Sequence, residues 1–219
     1  MNENKKAKKV VALLLCAVLL VVGSVTGTMA YLTSQDTVTN TFTVGNVKIT
    51  LDEAKVDEYG VATSGRTSDG NSYKLIPGHT YVKDPTIHVN TNSEPAYIRM
   101  KVTLSDDTLK DVFPSYVAAD DVFLLQNFVN GWDNTIWEFK KYDAATRTYE
   151  FRYRDVVDNP VGYTEATFDI TPLFTSITIP TDAKNEDLAK LTNGFGIEIV
   201  AEAIQADGFA NADAAWSSF

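Results

Sequence analysis

Hydrophobic and polar residues alternate along much of the chain from residue 37 onward, and alternation with a period of two predicts β-strands. The clearest case is residues 97–104, where one phase is entirely apolar and the other is polar or charged. The apolar phase consists of Ile98, Met100, Val102 and Leu104. This stretch predicts a strand with one face in the core and the other toward solvent.

The first alternating stretch, residues 37–51, predicts two strands joined by a bulge or a tight turn at residues 45–46. Before the break, Val38, Phe42 and Val44 share one phase with Leu32, and threonines fill much of the opposite phase. After the break, Val47 begins a second apolar phase that runs to residue 51. Threonine and valine favour the extended backbone, so residues 31–51 are interpreted as an N-terminal strand or arm.

The rest of the chain predicts short strands separated by Pro- and Gly-containing turns. Residues 52–72 are polar and glycine-rich and are interpreted as a surface loop. The predicted strands cover residues 81–90, 163–170, 177–179 and 195–206, with a hairpin over 135–142 and 148–154. Residues 195–206 carry apolar side chains in both phases, which favours a central strand. With short helices within 105–130 and at 184–191, the pattern predicts an antiparallel β-sandwich over residues 52–219.

The first thirty residues have the layout of a cleaved secretory signal. Four lysines precede thirteen consecutive apolar residues, 10–22, whose helix would rise only about 20 Å, short of a bilayer core. Thr28 and Ala30 place small residues three before and one before a cut in front of Tyr31. Two alternatives are an uncleaved signal anchor over residues 10–30 and a lipoprotein signal at Cys16. Leu15 stands before Cys16 where a small residue is normally required, which disfavours the lipoprotein.

Charge limits the partners of the exported chain. The 219 residues carry a formal charge of −10, and without residues 1–30 the remaining 15 basic and 28 acidic residues give −13. Such a surface repels nucleic acid and anionic membranes, so we expect membrane contact only through an uncleaved signal peptide. Cys16 is the chain's one cysteine, so the mature protein would form no internal disulfide.

Catalytic and metal-binding motifs are not found in the sequence. The two histidines, His79 and His88, do not form a helical HExxH pair. They are interpreted as a turn histidine, after Pro77-Gly78, and a solvent-facing strand histidine. No calcium loop, phosphate loop or nucleophile elbow occurs. We therefore expect no catalytic residues, no metal ligands and no cofactor. Four aromatic residues of the predicted hairpin form either a glycan-binding face or cross-strand core pairs. They are Tyr142, Tyr149, Phe151 and Tyr153.

Several segments at the two ends of the chain resemble one family of exported proteins. They are the leader end GTMA followed by YLT, NTFTVGNV at 40–47, LIPG at 75–78, IHVN at 87–90, PAYIR at 95–99, AEAIQA at 201–206 and AAW at 214–216. Together they resemble the TasA/camelysin family, whose leaders are processed by a signal peptidase of the SipW type. Residues 105–190 carry no matching motif.

The resemblance implies a jelly-roll domain, secreted to the extracellular matrix or cell surface of a Gram-positive bacterium, that builds biofilm fibres. It also implies that the mature N-terminal arm of one subunit completes the sheet of the next, which would place Leu32, Val38, Phe42, Val44 and Val47 at the contact. Other matrix proteins are further candidate partners.

Three alternatives stay open at this point. In the first, the arm is an ordinary first strand of its own sheet and the protein is a monomer. In the second, the protein is a camelysin-like metalloendopeptidase. In the third, it is an adhesin that binds carbohydrate through the aromatic hairpin. Camelysins have been described as metalloproteases, but the chain lacks HExxH, so that activity is not transferred to it.

Overall fold

The described part of the protein is mainly β, with every strand pair antiparallel and two short helices. The computed structural model describes residues 46–105, 128–159, 164–189, 191 and 196–219. The strands are β1 Ile49–Val56, β2 Ala62–Thr67, β3 Thr80–Val82, β4 Thr86–Asn90, β5 Ala96–Leu104, β6 Val129–Asn130, β7 Trp137–Asp143, β8 Thr148–Tyr153, β9 Thr167–Asp169, β10 Ser176–Thr178 and β11 Ile197–Gln205. The helices are α1 Asn185–Leu188 and α2 Ala212–Ser217. The predicted antiparallel, mainly β class is confirmed.

The strands form three sheets. Their orders are β2-β1-β4-β9, β11-β5-β8-β7 and β3-β10-β6. One hydrophobic cluster takes side chains from all three sheets, including Val89 of β4, Met100 of β5 and Ile177 of β10. In β5 the apolar phase is buried as predicted, at Ile98, Met100, Val102 and Leu104. The opposite phase was predicted to face solvent, but Arg99 in that phase is only 7% exposed, because the Trp216 ring covers it. The core therefore lies between the sheets, where each contributes its apolar phase.

The aromatic hairpin, β7 and β8, contributes its rings to this core. Tyr149 is fully buried and Phe151 is 1% exposed, and the Tyr142 and Tyr149 ring centroids lie 4.4 Å apart. Tyr142 and Tyr153 are half-buried against the same cluster. Cross-strand packing thus accounts for these four rings, as one of the two interpretations predicted.

The prediction that residues 52–72 form a surface loop is wrong for much of this range. Strand β1 continues to Val56, and β2 pairs with it over residues that are almost all exposed. Arg66 of β2 holds the pair in place by reaching Asp52 at 2.5 Å and Asp84 at 2.9 Å. A strand held by such polar contacts has no apolar alternation for a sequence pattern to detect.

Two further strand predictions need correction. The strand predicted at 81–90 is two strands, interrupted at residues 83–85, where Pro85 offers no donor to a ladder. The strand predicted as central, β11, pairs only with β5 among the described strands. Ile197 and Ile199 pack on the core, while Val200 in the opposite phase is 42% exposed. Apolar residues in both phases therefore did not indicate burial on both faces.

The remaining predictions hold with shorter bounds. The hairpin is β7 and β8, the strands near 163–170 and 177–179 are β9 and β10, and the helix near 184–191 is α1. The helices predicted within 105–130 fall largely on residues 106–127, outside the described residues. Within the described ranges, no helix has the length and apolar character needed to cross a bilayer.

Candidate functional site

The C-terminal end of the predicted arm enters the first sheet through residues 46–48. Lys48 donates its backbone N–H to Ser93 Oγ at 2.8 Å, and its carbonyl accepts from Ser93 Oγ at 3.0 Å. The Lys48 carbonyl also accepts from the Asn90 N–H at 3.0 Å, and the Asn46 carbonyl accepts from Glu94 at 2.9 Å. Val47 between them is half-buried. These bonds fix the chain beside the turn that follows β4.

Of the residues predicted at the signal-peptidase cut and in the assembly contact, the structure describes only Val47. The others lie outside the described residues: Thr28, Ala30, Tyr31, Leu32, Val38, Phe42 and Val44. Downstream of Val47, β1 pairs with β4 over Ile49 to Asp52 and with β2 over Glu53 to Val56. The hydrogen bonds of β1 are therefore made within its own sheet.

A groove of about 390 Å³ lies between β1 and β11. Its apolar lining includes Leu51 from β1 with Ile197 and Ile199 from β11. Glu53 and Lys83 supply buried polar groups at the same groove. The groove thus combines apolar side chains with a strand, β11, that pairs on one side only within the described part.

A buried polar cluster joins Lys83, Glu53 and Asn71 where this groove meets a second cavity of about 690 Å³. Lys83 Nζ lies 2.6 Å from Glu53 Oε2, and both residues are 6% exposed. Asn71 Nδ2 donates to Glu53 Oε1 at 2.8 Å and to the Ala54 carbonyl at 2.9 Å. The Val56 N–H donates to Asn71 Oδ1 at 3.0 Å. One carboxylate therefore contacts an ammonium through one oxygen and a carboxamide through the other.

Sequence reasoning missed this cluster, because its members lie far apart in the chain and no short motif marks them. One signal was present. Lys83 directly follows β3 and continues the phase of Tyr81, which is fully buried. A lysine in the inward phase of a strand needs a buried partner, since an unpaired charge is costly there.

Tyr73 completes the surroundings of the cluster. Burial raises the pKa of the Tyr73 phenol, and the nearby Glu53 charge raises it further. Its hydroxyl donates to the Val82 carbonyl at 3.3 Å, and its ring lies edge-on to Tyr81 with centroids 5.5 Å apart. Tyr73 is therefore a neutral hydrogen-bonding group that shields the cluster from solvent.

His88 of β4 stands between two carboxylates on the first sheet and is half-buried, although it was predicted to face solvent. Its Nδ1 lies 2.5 Å from Asp169 Oδ1 and its Nε2 lies 2.8 Å from Asp52 Oδ1. The second contact is charge attraction rather than an aligned hydrogen bond. Burial alone would lower the His88 pKa, but the two carboxylates, Asp52 and Asp169, together outweigh burial and raise the pKa.

This raised pKa predicts a pH dependence of stability. A histidine whose pKa is higher in the folded state stabilises fully below its unfolded value of about 6.5, and the gain is lost as pH rises through the folded pKa. At low pH, wild type should therefore have a higher melting temperature than His88→Gln, equivalent to a stability difference of about 1 kcal/mol or less. At higher pH this difference should disappear. Melting curves between pH 5 and 9 would measure it.

Asp169→Asn is the matched variant, since it removes one of the two charges and keeps a side chain of the same shape. With Asn at position 169, the melting-temperature advantage of His88 over glutamine should disappear at a lower pH than it does with Asp169. A wild-type margin over His88→Gln that grows with pH would contradict the assignment.

The other histidine, His79, follows the Pro77-Gly78 turn as predicted. Its Nε2 lies 2.7 Å from the Tyr59 carbonyl and its ring packs against Tyr81. Across the described ranges, no group of three or more His, Cys, Asp or Glu side chains is placed to hold a metal ion.

A second polar network lies on the outer face of the β11-β5-β8-β7 sheet. Glu202 pairs with Arg99 and with Lys101, the latter at 3.0 Å. Burial alone would raise the Glu202 pKa, but the hydrogen bonds and charges of these two partners outweigh it and lower the pKa. Trp216 of α2 stacks over Arg99, with the guanidinium carbon 4.2 Å from the ring centroid. The C-terminal segment thus covers charged groups of the sheet with aromatic rings.

Comparison of the chain with family models, with curated proteins and with solved structures finds no match.

Proposed function

We propose that this protein is a secreted structural subunit that forms extracellular fibres of a biofilm matrix. In this proposal the first part of the arm, residues 31–44, leaves its own domain. It adds as a strand to the sheet of the next copy. The observation that carries the proposal is the side of β11 that no described strand occupies, which borders a groove whose apolar lining includes Leu51, Ile197 and Ile199. The signal-peptide layout and the resemblance to the TasA/camelysin family support it further.

The dimensions of the arm suit this edge. Strand β11 has 9 residues, so a partner strand along it spans about 30 Å. The 14 residues from 31 to 44 would extend to about 46 Å. This length is enough to pair along β11 and to leave a short connection to the domain of origin. Its backbone would supply ladder hydrogen bonds.

The two phases of the arm suit a groove on one side and solvent on the other. Val38, Phe42 and Val44 would enter the groove beside Leu51, Ile197 and Ile199. The threonines of the opposite phase would face water. Because the donor arm and the acceptor edge are different surfaces, the contact does not close on itself, and repetition produces a filament.

The finer fold and the biological setting belong to the same proposal. Residues 1–30 would form a signal-peptide helix that a signal peptidase of the SipW type removes, and the sheets would form a jelly-roll sandwich. The mature protein would act outside a Gram-positive bacterium, together with further copies of itself and with other matrix proteins. It would be a structural component without enzymatic activity or a cofactor.

Deletion of residues 31–44 from the mature protein tests the assembly step. We expect filaments of the mature protein in negative-stain electron microscopy and their complete loss on deletion, because the donor strand is gone. The folded domain should persist, since β1 keeps both of its partners. Circular dichroism of the deletion variant would check that it is folded.

A pair of neighbouring substitutions provides a sharper version of this test. Phe42→Asp places a charge in the phase proposed to enter the groove, whereas Thr41→Asp places the same charge in the opposite phase. Filaments should be lost in the first variant and kept in the second. Filaments that persist in both variants and in the deletion would refute the proposal.

A further inference from the structure

In the Lys83–Glu53–Asn71 cluster, one carboxylate holds an amine and a carboxamide, the three groups that an intramolecular isopeptide cross-link uses. Glu53 accepts a hydrogen bond from the Asn71 carboxamide nitrogen at 2.8 Å and binds the Lys83 ammonium at 2.6 Å. A buried amine, a buried carboxyl group and a half-buried amide therefore share one site. The proposed fibre function does not use these three side chains.

We propose that Lys83 and Asn71 become joined by an intramolecular isopeptide bond, with Glu53 as the catalytic carboxyl group. The bond would link Lys83 Nζ to Asn71 Cγ. It would be a self-catalysed modification of the folded chain and requires no second substrate.

The reaction balances with the groups present. Glu53 takes a proton from the Lys83 ammonium, which leaves a neutral amine with a free electron pair. That pair attacks Asn71 Cγ and forms a new carbon–nitrogen bond. Glu53 passes this proton to Nδ2, the bond from Cγ to Nδ2 breaks, and ammonia departs. The Lys83 nitrogen still carries two protons at this stage, and Glu53 transfers one of them to the ammonia. The leaving group is therefore ammonium, which carries away the positive charge that Lys83 held. Glu53 ends in its starting state, and no oxidant or reductant takes part.

The carboxamide of Asn71 is oriented for this chemistry. Its Oδ1 accepts a hydrogen bond from the Val56 N–H at 3.0 Å, which polarises the carbonyl and stabilises charge that develops on this oxygen during attack. Its Nδ2, the leaving group, points to Glu53 and to the Ala54 carbonyl. Electrophile and leaving group are thus each held by a separate partner.

The two groups that exchange the first proton are largely shielded from water. Lys83 and Glu53 are each 6% exposed. The cavity of about 690 Å³ that Asn71 and Lys83 both line offers a route for ammonium to leave.

The bond would connect two sheets. Asn71 follows β2 and is held against β1, whereas Lys83 directly follows β3 of the β3-β10-β6 sheet. A covalent link here would prevent these sheets from separating near the groove. Such a link serves a protein without disulfides, because cross-links restrict the unfolded chain.

Peptide mass spectrometry of the purified wild-type protein, digested with trypsin after denaturation, tests the proposal directly. With the bond, residues 67–74 and 75–99 should appear as one linked pair, lighter than the sum of its peptides by one ammonia. Cleavage after Lys83 would be blocked. Without the bond, residues 67–74, 75–83 and 84–99 should appear as three separate peptides. Full recovery of these three from wild type would overturn the proposal.

Three variants separate the roles of the groups. Lys83→Arg removes the nucleophile and keeps the charge, so the linked pair should be absent. Glu53→Gln should lower its yield at least tenfold, since the proton carrier is lost. Lys101→Arg changes a lysine that also contacts a glutamate, Glu202, and should leave the yield unchanged. An undiminished yield in Glu53→Gln would refute the role of Glu53, and an undiminished yield in Lys83→Arg would refute the bond.

Discussion

Replacing Trp216 by alanine is expected to lower the free energy of unfolding by about 3 kcal/mol or more. The indole is 6% exposed and stacks over the Arg99 guanidinium, so its loss opens a cavity and removes a cation–π contact. It would also expose the Arg99–Glu202 ion pair to water. Urea denaturation followed by circular dichroism would measure the change.

Two matched variants show which part of this effect comes from the buried ring. Phe219 also faces Arg99, with its centroid at 4.9 Å, but is 64% exposed, so Phe219→Ala should cost less than about 1 kcal/mol. Trp216→Phe keeps a ring and removes a buried N–H that has no acceptor among the described residues. Its free energy of unfolding should therefore fall between those of wild type and Trp216→Ala. Equal losses for Trp216→Ala and Phe219→Ala would contradict this account.

Relative to the chain with a free Lys83 side chain, replacing Lys83 by methionine is expected to destabilise the fold by about 3–5 kcal/mol, because it leaves the Glu53 carboxylate buried without a countercharge. The paired substitution Glu53→Leu with Lys83→Met should be more stable than Lys83→Met alone. It removes both charges, and Asn71 keeps its hydrogen bonds to Ala54 and Val56. Chemical denaturation of the two variants under identical conditions gives the comparison.

The comparison between these two variants is independent of any cross-link, because neither contains Lys83. A surface pair provides the reference: Lys184 lies 3.9 Å from Glu186 with both side chains mostly exposed, and Lys184→Met should cost less than about 1 kcal/mol. If the double variant proves less stable than Lys83→Met alone, burial of an unpaired charge is not the source of the loss.

The strands that could be predicted from the sequence are those whose burial is one-sided and apolar. Strand β5 alternates because one of its faces lines the core, and the hairpin of β7 and β8 is marked by its aromatic residues. Strand β2 could not be predicted, because Arg66 and the ladder to β1 hold it, and neither produces a hydrophobic period. Among the described strands β11 lies at the edge of its sheet, and this position was missed because Val200 and Ile204 suggested a second buried face, whereas Val200 is exposed.

The polar site illustrates a different limit. Glu53, Asn71 and Lys83 come from three segments, and only the pairing of β1 with its neighbours brings them together. Each residue type is common on surfaces, so composition and spacing carry no signal for their meeting. From the sequence alone, the inward phase of Lys83 indicates that this lysine has a buried partner. The identity of its partners became clear only from the fold.

The way in which the chain joins β1 has a mechanical consequence. Tension on the arm of a fibre subunit would reach the domain through residues 46–48, which Ser93 and Asn90 hold beside β4. Because β1 lies between β4 and β2, a pull along its axis stretches ladder hydrogen bonds on both sides together, in shear, instead of breaking them one after another. Resistance to pulling would then depend on this attachment more than on the depth of the core, so a fibre of such subunits would tolerate stretching better than its thermal stability suggests.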